Sequence, residues 1–130
     1  MTTKANIKSE QGQTMTEFAM VLPLLVVLLF AIIQFGIIFN DYVTLTDAAR
    51  AGARTGAVSR LSSNPSAACV NQVTGAASNL NQANLTVSCT SPWTPGSDVT
   101  VSASYPYNIN LLGWVVASGQ LNTTMKERVE

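Results

Sequence analysis

Residues 12–40 read GQTMTEFAMVLPLLVVLLFAIIQFGIIFN, and the fold turns on how that stretch is understood. From Phe18 to Phe39 the chain is apolar, interrupted only by Pro23, Gln34 and Gly36. As a helix rising about 1.5 Å per residue this run spans roughly 33 Å, against a hydrocarbon core of about 30 Å. A soluble helix of that length needs a polar face, and none occurs before Gln34. One membrane crossing is therefore expected. A cleaved secretory signal is the competing reading, although such signals have an apolar region of about 7 to 15 residues followed closely by a small-x-small site. Here the run is longer and ends in Phe39-Asn40-Asp41-Tyr42.

Composition narrows the functional classes. The chain has 130 residues, seven basic and seven acidic groups, two cysteines and no histidine. That length suits one small domain plus one anchor. A net charge of zero offers no basic stripe to replace counterions, so nucleic acid is not an expected partner. Between Leu61 and Met125 the only formal charge is Asp98, in a stretch rich in Ser, Thr, Asn, Gln and Ala. With so few potential ligands, a metal site and a cofactor are not expected. Catalysis is not expected either, since there is no histidine base, no carboxylate cluster and no phosphate-binding glycine loop.

Helical character continues past the apolar run. Residues 41–60, DYVTLTDAARAGARTGAVSR, contain no proline, and Asp47 stands three residues before Arg50. Ala48, Gly52 and Gly56 recur every fourth position, with Ala49, Ala53 and Ala57 as a neighbouring row. Two ridges of small residues allow another backbone to approach closely, so Ala48, Gly52 and Gly56 are read as a helix-packing face. The plainer reading is that alanine favours helix and the glycines mark fraying.

Beyond Arg60 the texture changes. Asn64-Pro65 is a turn signal, and Val70, Val73, Ala77 and Leu80 form the stripe of a short helix over 66–80. NLTVSCT (84–90) and DVTVSASY (98–105) alternate as strands, SPWTPGS connects them, and QLNTTMKERVE supplies a third strand after a looser apolar patch, LLGWVVA. The expected architecture is α+β: a long transmembrane helix extending into a small domain with a short helix and a three-stranded antiparallel sheet. Its divisions are a leader (1–12), the long helix (13–60) and the domain (61–130). Cys69 and Cys89 are best read as one disulfide in an extracytoplasmic module, two buried thiols being the alternative. Lys4 and Lys8 flank one end of the apolar run, and Arg50 and Arg54 the other, so the positive-inside count is nearly tied. The expected disulfide tips the orientation toward a C-terminal domain outside the cytoplasm.

Thr14 and Glu17 have capping-box spacing, which would start the helix near Thr14. That accounts for Glu17 but not for Gly12. The sequence Gly12-Gln13-Thr14-Met15-Thr16-Glu17-Phe18, running straight into the apolar segment, resembles the processing site of type IV pilin-like precursors. With AARAGAR downstream and MKERVE at the end, it is similar to TadE-like pseudopilins of tight-adherence (Tad) pilus systems. The resemblance implies a pilin-like fold, cleavage between Gly12 and Gln13 by a prepilin peptidase, and pairing of Glu17 with a neighbouring subunit's amine. It implies residence in the bacterial inner membrane or a surface pilus, with other pilin and pseudopilin subunits and membrane lipids as partners. Glu17 and Phe18 match the Glu-Phe pair of Tad pilins.

Two functions follow. One is a minor pilin or pseudopilin that initiates or caps a Tad-type adhesive pilus. The alternative is a membrane-anchored adhesion module that uses Trp93, Tyr105, Tyr107 or Trp114 and is never built into a filament.

Overall fold

A computed structural model describes the backbone of residues 7–130 and side chains from Gly12 onward. Lys4 and the first part of the expected leader lie outside the described residues. The elements run α1 (Ile7–Val58), α2 (Pro65–Ala76), β1 (Thr86–Thr90), β2 (Asp98–Leu111) and β3 (Trp114–Arg128). The sheet is antiparallel in the order β1-β2-β3.

α1 contains 52 residues with Pro23 inside it, about 78 Å of helix at the usual rise. Its most apolar eighteen-residue stretch is not buried against the rest of the chain. A single-pass membrane anchor accounts for that exposure: lipid, rather than protein, would cover Phe18, Leu24, Phe30 and Phe35. The helix does not start at Thr14. Ile7–Gln13 is already helical, and with no proline among these residues nothing blocks propagation backwards. The capping-box reading of Thr14 and Glu17 is thereby corrected.

The C-terminal part of α1 is the spine of the domain. Leu45, Ala48, Ala49 and Ala53 are buried in one cluster with Cys69, Val73 and Ala77 on the α2 side and Val99, Val101 and Ala103 on β2, and Ala57 is buried too. α2 starts where its sequence demands. Asn64 caps it, its Oδ1 accepting from the Ala67 N–H at 3.0 Å, and Pro65 occupies the first turn, where a missing N–H costs nothing. The helix ends earlier than the apolar stripe suggested. Ala77 is its C-cap and Leu80 lies in the following turn, although Leu80 is still buried. The Gln82 side chain donates to the carbonyls of Ala77 and Leu80, holding that turn against the core.

The second hairpin is longer than expected. β3 begins at Trp114, directly after a two-residue turn in which Leu112 (φ 52°) and Gly113 (φ 90°) both have positive φ. Such a turn matches the twist of paired strands, so the LLGWVVA patch forms the hairpin tip and the start of β3. A register shift between Ile109 and Asn110 leaves an extra residue on β3 near Val116. Lower down, the Tyr107 ring packs on Gly119, its cross-strand partner.

Candidate functional site

Two regions held the residues expected to matter, and the structure places them far apart along α1. At the N-terminal end, Gly12 has open space where a side chain would project. The Thr16 hydroxyl donates to its carbonyl at 2.9 Å, one turn of helix away. The Gln13 amide donates to Glu17 Oε1 at 3.2 Å. Gln13 and Glu17 therefore share one exposed face, and Phe18 beside them is 59% exposed at the start of the apolar surface. Among the described residues, nothing packs where a side chain at position 12 would project.

The small-residue ridge is used inside the chain. A Cβ at Gly52 would collide with Val73 Cγ2 and lie 3.3 Å from the Cys69 carbonyl oxygen. At Gly56 a Cβ would stand 2.9 Å from Val99 Cγ1 and 3.5 Å from Cys69 Cβ. Moving from Gly56 to Gly52 on α1 thus accompanies moving from Cys69 to Val73 on α2, so the two helices run antiparallel. Ala48 extends the row and is 1% exposed. The close approach that these residues allow is to α2 and the sheet of the same domain.

Cys69 and Cys89 are joined, with Cα atoms 6.3 Å apart. The bond fastens α2 to β1, and the Ser66 hydroxyl adds a hydrogen bond to the Cys89 carbonyl at 3.3 Å. The four aromatics do not converge. Trp93 packs half-buried against the core, Tyr105 accepts from the Asn81 N–H at 3.3 Å, and Tyr107 covers Gly119. Only Trp114, 81% exposed, is fully presented. The signal that could have found it was the glycine after Leu112, which marks a turn when apolar residues flank it on both sides.

Charge is sparse. Asp47 and Arg50 pair at 3.7 Å on the surface of α1. An open cleft of about 590 Å³ is lined by Arg50, Arg54, Thr55, Gln72, Met125, Lys126 and Glu127. Just beyond the apolar run, burial raises the Asp41 carboxyl above its ordinary range. Among the described residues no three His, Cys, Asp or Glu side chains are grouped to hold a metal ion.

α1 is thus one continuous helix that runs from the exposed Gln13–Glu17 face through an apolar stretch and into a small domain. Comparison with known families matches that same span. Residues 12–54 fit the model of the TadE-like protein family. No curated protein and no solved structure matches the chain. The TadE-like segment covers Gly12, Gln13, Glu17, the whole apolar run, Ala48 and Gly52, and stops before Gly56. TadE-like proteins are pilin-like components associated with Tad pili, structural rather than catalytic in kind. The disulfide, α2 and the sheet lie outside the TadE-like span.

Proposed function

We propose that this protein is a membrane-anchored, pilin-like subunit that takes part in the assembly of a Tad-type pilus, at initiation or at capping. One observation carries the reading: the Gly12–Glu17 signature adjoins a membrane-length helix that continues unbroken as the spine of a disulfide-linked domain. A prepilin peptidase would remove residues 1–12. Gly12 suits that step, because glycine weakens a helix by about 1 kcal/mol relative to alanine and the turn must open for its peptide bond to be cut. The new terminus, Gln13, would carry an ammonium one turn from Glu17. A neighbouring subunit could then present its own amine to Glu17 where water is scarce and the attraction is strong. The domain would stand outside the cytoplasm, where the Cys69–Cys89 bond persists.

N-terminal mass spectrometry of protein extracted from membranes tests the first step. Mature protein should begin at Gln13, and Gly12→Val should leave the leader attached by crowding a cleft that accepts glycine. Mature protein beginning at Met1 in cells with an active peptidase would defeat the proposal.

A second reading, an anchored adhesion module outside any filament, is favoured by the exposed Trp114 at the hairpin tip. Sheared filaments lacking the protein, with the protein retained in the membrane, would select it.

A further inference from the structure

The β2–β3 hairpin has a direction that the core contacts define. At its start, Val99 lies against Gly56 near the C-terminal end of α1. The last residues of the chain are there too, with the Glu130 N–H donating to the Ala57 carbonyl. α2 runs the opposite way to α1, from Cys69 beside Gly56 to Val73 beside Gly52. Tyr105 then meets Asn81, beyond the end of α2. β2 therefore advances from the far pole of the domain toward the apolar part of α1.

It does not stop at the core. β1 pairs with β2 only as far as Ser104, opposite Thr86. Beyond Tyr105 and Leu121, which still pack against the core, the two strands continue paired only with each other to the Leu112-Gly113 turn. Tyr105 to Leu112 is seven steps, about 23 Å at the usual strand rise. On α1, Leu45 is the last fully buried residue in this direction, and Asp41, four positions further, is still half-buried. From Leu45 to Phe39, the end of the apolar run, is about 9 Å of helix. A ribbon inclined by about 60° to α1 would still carry its tip to that level.

The tip has the chemistry of that level. Leu112, Trp114, Val115 and Val116 are 66%, 81%, 63% and 62% exposed, and no charged residue lies between Asp98 and Lys126. Contiguous exposed apolar side chains of this kind mark a contact site. Indole and aliphatic groups among Asn and Ser side chains suit the headgroup zone of a bilayer. The free ribbon edges carry unpaired backbone groups, which hydrocarbon would not tolerate but headgroups and water satisfy. We propose that the 111–116 tip inserts into the headgroup region of the same bilayer that α1 crosses, so that the domain touches the membrane at a second point and is held tilted against it. The inference rests on α1 being a membrane anchor and is independent of any role in a pilus.

The test uses the full chain carrying Trp93→Phe, which leaves Trp114 as the sole indole, in phosphatidylcholine–phosphatidylglycerol vesicles at low protein density. Nitroxide-labelled lipid reports depth. A nitroxide near the headgroup should quench Trp114 at least about twofold more than one at the acyl end, as interfacial indole requires. Equal failure of both to quench would overturn the proposal, and so would stronger quenching by the acyl-end probe. Quenching by neither, with iodide protection that grows with protein density, would reassign the tip to contact between subunits. If Trp93→Phe loses the disulfide-linked form, the difference between the wild type and Trp114→Phe gives the same readout. Alkali extraction of the vesicles separates failure of the tip from failure of the anchor: the first leaves α1 inserted.

Discussion

Gly52 of α1 lies directly under Val73 of α2, with Val73 Cγ2 filling the space where a side chain at position 52 would begin. The contact gives the small-residue ridge a structural function within one subunit. It also changes what a bulky substitution there would report. Loss of assembly in Gly52→Leu would be secondary to a damaged domain.

Gly52→Ala should therefore destabilise the domain by about 1–3 kcal/mol, the range for overpacked cores. Adding Val73→Ala should recover part of that loss by removing the opposing methyls. Gly36→Ala, where a Cβ meets open space, should be neutral or stabilising by up to about 1 kcal/mol. Thermal unfolding in detergent followed by circular dichroism would show the contrast. Equal effects at the two glycines would contradict it.

Breaking the disulfide should loosen the domain without dislodging the anchor. The bond closes a loop across a sequence separation of 20, and a loop of that size contributes on the order of 3 kcal/mol in the chain-entropy model. Cys89→Ser should abolish the faster migration of unreduced protein on gels. It should also expose residues 61–130 to protease while membrane retention is unchanged. Quantitative thiol labelling of the native wild type would contradict the bond itself.

Glu17→Gln isolates charge from shape. Helix already precedes this position, so loss of a helix cap is not an issue, and glutamine can keep a hydrogen bond with Gln13. Membrane insertion and leader cleavage should persist, while co-purification with other pilus subunits should fall to background. Undiminished co-purification would remove Glu17 from the assembly contact.

Asp41 offers a pH test whose sign is fixed by burial. Its carboxyl is raised in the folded chain, so the charged form is disfavoured by folding. Stability from this group should be highest below the ordinary carboxylate range, where both states are protonated, and should be lost as pH rises through the raised value. Asp41→Asn should accordingly raise the melting temperature at neutral pH. The gain should vanish on acidification. A stabilisation independent of pH would point to packing instead of charge.

The long helix, the three strands and the cysteine pair were legible because each has a strong local signal: an apolar run, period-two alternation and an isolated pair of thiols. The end of α2 was not, because Leu80 is buried from a turn and so prolongs the apolar stripe past the helix. The hairpin tip was missed for a related reason. Leu112 adopts positive φ, which leucine rarely does, so Leu111–Ala117 reads as a loose apolar segment. The ridge at Ala48, Gly52 and Gly56 was visible as a surface for close packing. Its partner was not, since nothing in spacing along α1 says whether the approaching backbone belongs to α2 or to another chain. Gly12, Gln13 and Glu17 were the reverse case: their pattern was legible, and the intramolecular geometry adds the Gln13–Glu17 hydrogen bond and the one from the Thr16 hydroxyl to the Gly12 carbonyl.

The covalent link between α2 and β1 has a mechanical corollary. Should the domain be pulled while α1 is held in a membrane, tension would enter through residues 59–64, the only chain connection between α1 and the rest of the fold. The Cys69–Cys89 bond lies wholly on one side of that junction. It would keep α2 and β1 together without sharing the load between α1 and the sheet. On the α1 side that seam is built mainly of alanine and glycine, with Leu45 its largest fully buried side chain, so most of its apolar contact comes from α2 and the sheet. Under load the domain should peel from its helix as a unit before it unravels.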